Sequence, residues 1–166
     1  MRTKQFSKVC FYNALEELCR ECPYEEVQIS QICQKAGFNR STFYRSYRTK
    51  EDILKEKMRE LIVQYNGLRK TKNADDFQSI VLLFSFYREN SMAINLIHQA
   101  RLDDMLRKLG MQNFPAESEH SANDYEKIFI TSGFLAVILR WLSTGMKESA
   151  EYMAEHIDKV FRQYGL

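Results

Sequence analysis

Two prolines and six glycines in 166 residues leave this chain few places to turn sharply. That scarcity argues against sandwiches and barrels, which need frequent turns, and favours helices. No apolar run reaches the length needed to cross a bilayer, so a membrane is not an expected partner. The opening Met1-Arg2-Thr3-Lys4-Gln5-Phe6 is basic but lacks the apolar core and cleavage site of a secretory signal, which makes the cytoplasm the expected location. Cysteine is sparse: Cys10, Cys19, Cys22 and Cys33 all fall in the first quarter. Cys19 and Cys22 have C-x-x-C spacing, yet no second pair or nearby histidine completes a zinc set. Reduced thiols packed as small hydrophobes are expected. The three histidines, His98, His120 and His156, share no ligand spacing, and no metal or cofactor is expected. Also missing are a nucleophile elbow, a phosphate-cradling glycine loop, an H-E-x-x-H motif and a paired-carboxylate constellation. Glu16-Glu17 and Asp103-Asp104 read as solvated helix faces, so catalysis is not expected.

What the sequence does contain is helical periodicity throughout, giving an all-α chain of about nine helices. Phe6, Val9, Cys10, Leu15 and Leu18 mark a first helix over 4–21, stopped by Pro23. A short second helix over 29–35 ends at Gly37, where a left-handed residue without a Cβ closes it. Asn39 caps a third over 40–47. Thr49 caps a fourth reaching about Tyr65, with Glu51 and Asp52 in its first turn. The polar stretch 66–74 reads as a hinge and 111–121 as a loop. Between and beyond them come helices over 75–89, 91–98, about 99–109, 124–143 and 149–164. The expected organisation is a helix-turn-helix DNA-binding domain (1–48), a connecting helix (49–66), and a regulatory and dimerisation domain (67–166).

Charge separates the two ends. Residues 1–60 carry 12 Lys/Arg against 9 Asp/Glu, whereas 61–166 carry 12 against 13. Lys35, Arg40, Arg45, Arg48 and Lys50 lie in a stretch without one acidic residue. A charge run is usually a solvated face, but this one coincides with two short helices at a steep angle. Ala36 is small where they approach, Gly37 makes the turn, and Ile32, Phe38, Phe43 and Tyr47 supply the shared core. Arg40, Ser41, Thr42, Tyr44 and Arg45 are left facing outward, as on a helix that enters the major groove.

The pattern Ile32…Ala36-Gly37-Phe38…Thr42-Phe43-Tyr44…Tyr47…Lys50-Glu51…Leu54 resembles the signature of the TetR family of bacterial transcriptional regulators. It spans about 28 residues, and with the preceding helix covers roughly the first third of the chain. A looser likeness to the last two helices of some members runs from Arg140-Trp141 to Ser149. The resemblance implies a homodimer binding a palindromic operator in double-stranded DNA, with Arg40 on a guanine and Tyr44 on a thymine methyl or a phosphate. Thr42, Arg45 and Lys50 are then assigned to phosphates, and Ser41 approaches bases or backbone. Gln28 stands where many members have threonine, so Ser30 is expected to replace part of that contact, while Asn39 keeps the cap of the third helix.

The wide apolar surface of helix 75–89 suits a small hydrophobic ligand, with Phe84, Met92, Ile97, Met105, Phe129 and Phe134 as candidate lining; plain core is the rival reading of the same residues. The excess apolar surface of helix 124–143 asks for a second copy of the chain. Phe134, Ile138, Trp141, Met153, Ile157 and Phe161 are the candidate dimer residues. Release of a repressor by a small ligand is the leading expectation. A co-regulator or activator working through another regulatory protein is the other class, separated from it by the salt dependence of DNA binding.

Overall fold

The computed structural model describes residues 2–72, 76–111 and 123–164. Among the described residues there are nine α-helices, one 3-10 turn (Tyr24–Glu26) and no strand. The helices are α1 (Arg2–Leu18), α2 (Ile29–Ala36), α3 (Arg40–Tyr44), α4 (Glu51–Lys72), α5 (Asp76–Glu89), α6 (Ser91–Gln99), α7 (Asp103–Met111), α8 (Asn123–Ser143) and α9 (Ala150–Tyr164). They fall into two compact units. One comprises Met1–Leu61 and Met92–Asp103, the other Ile62–Ser91 and Asp104–Leu166.

The first unit is organised around Phe11 of α1. Its ring lies 5.2 Å from Phe43, 5.4 Å from Phe38 and 6.2 Å from Tyr47, centroid to centroid. Leu15, Ile32, Phe43, Leu54 and Met58 are fully buried with it. These are the apolar stripes of α1, α2 and α4, so helical period and aromatic packing specify the same core. Ala93, Ile94, Leu96 and Ile97 of α6 are also buried.

In the second unit α5 packs along α9. Phe84 of α5 meets Trp141 at 5.6 Å and Phe134 at 6.2 Å, and Phe134 stacks on Phe161 at 5.6 Å. Ala150 and Ala154 are buried on α9, where small side chains allow close helix approach. The Tyr87 hydroxyl donates to the Leu106 carbonyl at 3.0 Å, tying α5 to α7.

Three helices end in the same paired hydrogen bonds. After α2, Phe38 N–H reaches the Cys33 carbonyl (3.0 Å) and Gly37 N–H that of Gln34 (3.2 Å). After α6, Leu102 bonds to Ile97 (3.0 Å) and Arg101 to His98 (2.9 Å). After α8, Met146 bonds to Trp141 (2.9 Å) and Gly145 to Leu142 (3.1 Å). Each closure needs a left-handed residue. Gly37 (φ 73°) and Gly145 (φ 84°) supply two, and Arg101 (φ 57°) supplies the third.

Several boundaries differ from the sequence reading, among them α7, which begins at Asp103. α1 stops at Leu18, three residues early. α3 stops at Tyr44 because the N–H groups of Ser46 and Tyr47 both turn onto the Phe43 carbonyl at 2.9 Å, swinging Tyr47 into the core. The expected hinge over 66–74 is helical through Lys72. Gly67 costs about 1 kcal/mol in a helix interior, and the neighbouring turn is held by Tyr65, fully buried against Phe86 at 5.2 Å. Residues 73–74 of that stretch lie outside the described residues, as do 112–121 of the expected loop and His120 with them.

Candidate nucleic-acid interface

The turn between α2 and α3 is fixed from both sides. Upstream, the backbone N–H of Gln28 donates to Gln31 Oε1 at 2.8 Å, the return half of a capping box. Gln31 thus caps α2, and the Ser30 hydroxyl donates to Gln28 Oε1 at 3.4 Å. The Gln-x-x-Gln spacing is the signal that identifies this cap. Downstream, Asn39 Oδ1 accepts from the Thr42 N–H at 2.8 Å, capping α3 as its sequence implies.

That oxygen also accepts from the hydroxyls of Ser41 and Thr42, each at 2.8 Å, and Thr42 Oγ1 accepts from Arg45 at 3.1 Å. The polar side chains of α3 are therefore aligned by one another before any ligand arrives. Arg40, Tyr44 and Arg45 are exposed, Tyr44 by 56% with its ring edge-on to Phe43. Among the described residues none of the three has a carboxylate within ion-pair distance.

Two lysines of the acid-free stretch are committed elsewhere. Lys35 pairs with Glu17 at 3.3 Å and Glu21 at 3.2 Å, joining α2 to α1. Lys50, expected at a phosphate, directs its ammonium at three backbone carbonyls: Tyr24 (2.6 Å), Val27 (2.9 Å) and Glu25 (3.0 Å). An ammonium has three hydrogens, so this set occupies them all. It also sits 4.4 Å from the centre of the Tyr24 ring. The physical reason is the 3-10 turn at Tyr24–Glu26, whose carbonyls converge and need a donor.

The start of α4 is secured by Asp52, which accepts from the N–H groups of Arg48 (2.9 Å) and Thr49 (3.1 Å). The Arg48 bond is the main reason its carboxyl is held below the usual range, with burial opposing. Four residues on, Glu56 accepts from Lys8 of α1 and, at 2.6 Å, from the Tyr47 hydroxyl. Burial pushes the Glu56 carboxyl up, but these donors outweigh it and the net shift is downward. Burial and then the same carboxylate keep Tyr47 a neutral donor. One acid thus fastens α1, α4 and the end of the reading segment together.

The four cysteines are free. Burial pushes the Cys19 thiol up to about 11 and also raises Cys33, so these groups stay protonated at neutral pH. Among the described residues no three His, Cys, Asp or Glu side chains gather as a metal site.

The candidate ligand residues are divided between the two units. Phe84 and Phe134 are neighbours in the second unit, where Met105 is half-buried. Phe129 is 69% exposed and lines no interior wall. Met92 and Ile97 belong to the first unit, and Ile97 is fully buried. The apolar surface of α8 divides between an inward and an outward side. Ile138 (1% exposed) and Trp141 (2%) are buried within the chain itself, Trp141 against Phe84. Phe134, Met153, Ile157 and Phe161 are half-buried, with Phe134 and Phe161 stacked on each other. The outward apolar residues of these helices are Tyr125, Ile128 and Phe129 on α8 and Tyr152 and Val160 on α9.

A short capped helix packed across another over an aromatic core, followed by a helical body, defines a helix-turn-helix transcription regulator. Residues 12–56 match the bacterial regulatory proteins of the tetR family, and residues 75–163 match the transcriptional regulator C-terminal region. The chain belongs to the TetR family. Its fold resembles that of Lin0861 from Listeria innocua, at a TM-score of 0.82 and 14% identity over 99% of this chain and 93% of that one. It also resembles a TetR transcriptional regulator from Streptococcus agalactiae 2603V, at a TM-score of 0.65 and 22% identity over 93% of each chain. No curated protein matches in sequence. Among the described residues no helix is long and apolar enough to cross a membrane.

Proposed function

We propose that the chain is a cytoplasmic repressor that grips a palindromic operator as a homodimer, one α3 in each of two successive major grooves. The observation that carries this reading is the outer face of α3, where Arg40, Tyr44 and Arg45 are exposed and unopposed by acid on a pre-aligned Asn39–Ser41–Thr42 scaffold. Arg40 reads a guanine, a contact contributing about 1–3 kcal/mol of discrimination. Tyr44 meets a thymine methyl or a phosphate. Ser41 and Thr42 turn their hydroxyls from Asn39 to the DNA, Arg45 takes a phosphate, and Ser30 and Asn39 border the contact. Lys50 acts indirectly, by holding the turn that feeds α2.

Dimerisation uses the outward faces of α8 and α9. Tyr125, Ile128, Phe129, Ser132 and Ala136 recur at three- and four-residue spacing and share one side of α8. With Tyr152 and Val160 they form a surface whose self-pairing makes a four-helix bundle about a two-fold axis. A small hydrophobic ligand would act by favouring a half-site spacing that no longer fits the operator. The supporting feature is the Trp141 indole N–H, buried without a hydrogen-bond partner among the described residues. It suits an apolar ligand carrying one acceptor oxygen.

Selection of bound sequences from a random duplex pool tests the central reading. A palindrome bound with a steep salt slope is the expected result. Failure of an intact dimer to enrich any site would transfer the function to a regulator acting through another protein.

A further inference from the structure

Beside α3 the first unit has an open, polar cleft of about 370 Å³, bounded by Lys8 of α1, residues Tyr44 to Arg48, and Asp52, Glu56 and Arg59 of α4. Four cations and two acids line it, but the acids are spent. Glu56 is engaged by Lys8 and Tyr47, and Asp52 by the Arg48 and Thr49 N–H groups and, at 3.3 Å, by Lys55. Arg45, Arg48 and Arg59 are exposed, and among the described residues no carboxylate lies within ion-pair distance of any of the three. Arg45 donates only to Thr42.

Together with one ammonium, three guanidiniums outnumber the two carboxylates in this concavity, leaving a net positive charge that an incoming anion would offset. Their planar forks match phosphate oxygens in pairs, and guanidinium sheds its water more readily than ammonium does. The cleft is continuous with the face bearing Tyr44 and Arg45, so an anion seated in it lies next to whatever α3 reads. Lys8, Tyr47 and Glu56 also line the cleft, joined by the bonds of Glu56 to the other two.

Resting on the DNA-binding reading above, we propose that this cleft seats backbone phosphates flanking the bases read by α3, with Arg48 and Arg59 as their ligands. Contact with DNA then extends from α3 along the first turns of α4, and these two side chains add affinity without adding sequence preference. Glu56 is a positioning residue: it touches no phosphate but holds Lys8 and Tyr47 in the cleft lining.

The test compares the full-length chain with Arg48→Gln, Arg59→Gln and the double variant on the selected operator. Each is measured over a range of salt, on duplexes with normal flanks and with uncharged methylphosphonate linkages there. Each arginine is expected to account for about 0.9 of the salt slope, which is about an eightfold loss at 0.1 M salt relative to 1 M. The double variant should keep the base preference of the parent chain and bind both duplexes alike, whereas the parent should lose affinity on uncharged flanks. A double variant with the parent's slope and flank sensitivity overturns the proposal while leaving operator recognition standing. So does competition by inorganic tripolyphosphate that depends on both arginines while uncharged flanks change nothing, because the site then serves a free anion. If the parent chain binds no duplex, both readings fall. Far-UV circular dichroism identifies any variant that loses affinity by unfolding, and Arg48→Lys and Arg59→Lys, which keep the charge, should then recover most of the slope.

Discussion

Lys50→Met removes an ammonium while keeping most of the aliphatic stem, and it separates two uses of that charge. Two of its bonds, to the carbonyls of Tyr24 and Val27, are partly buried, and the third, to Glu25, is exposed. A hydrogen bond from a charged donor contributes about 1.5–3 kcal/mol, and less where water substitutes readily. The Tyr24 face adds about 0.5–1 kcal/mol for a half-exposed cation. Because one ammonium makes all these contacts they do not add, and a net loss of about 2–3 kcal/mol is expected. Cys33 reports it, being 3% exposed on α2 in the same unit. Alkylation of Cys33, followed by mass spectrometry, should accelerate about 30- to 150-fold in the variant without denaturant. Its urea onset should fall by about 1 M for a slope typical of a small domain. Unchanged Cys33 protection, with a salt slope for operator binding lowered by about one, would refute the reasoning and return Lys50 to a phosphate.

Asp52 and Glu56 both release protons more readily than free carboxyls. The unfolded chain therefore binds more protons near pH 4; their contribution is complete above about pH 5 and disappears as pH falls through the lowered folded values. Urea unfolding followed by circular dichroism from pH 7 to 3 should show that decline, and Asp52→Asn should flatten it. Gly37→Ala meets no atom within 4 Å but inherits φ 73°, so it should cost about 1–2 kcal/mol of first-unit stability in the same measurement. Phe129→Asp should yield folded monomers by sedimentation, whereas Ile138→Ala should cost about 2–4 kcal/mol and leave the stoichiometry alone. The opposite pattern would return the dimer surface to the inner face of α8.

The elements were legible where one physical signal acted alone. Gly37, Asn39 and Pro23 mark breaks by backbone chemistry, and the stripes of α2 and α9 are narrow enough to assign a buried side. The site was legible only along the chain. The acid-free stretch joined Lys35 and Lys50 to the arginines, yet folding brings Glu17 and Glu21 to Lys35 and a ring of carbonyls to Lys50. Arg59 stood outside that stretch, among acidic neighbours, and enters the cleft only because α4 puts it two turns beyond Asp52. The inner and outer faces of α8 were indistinguishable for the same reason: both are apolar, and only packing against Phe84 and Phe161 shows which is taken.

Arg101 holds a position that the other two closures of its kind give to glycine. A left-handed L-residue is disfavoured by about 1–2 kcal/mol, more than the roughly 0.5–1 kcal/mol of chain entropy that glycine forfeits on folding. The chain therefore keeps an unused reserve at a turn that takes no part in α3. If α3 reads DNA as proposed, this matters for a lineage changing its site, since new side chains at positions 40 or 44 tend to erode stability before they improve recognition. A single drift to glycine at 101 would widen the set of reading helices the fold tolerates, making this turn a silent determinant of how far the DNA specificity can evolve.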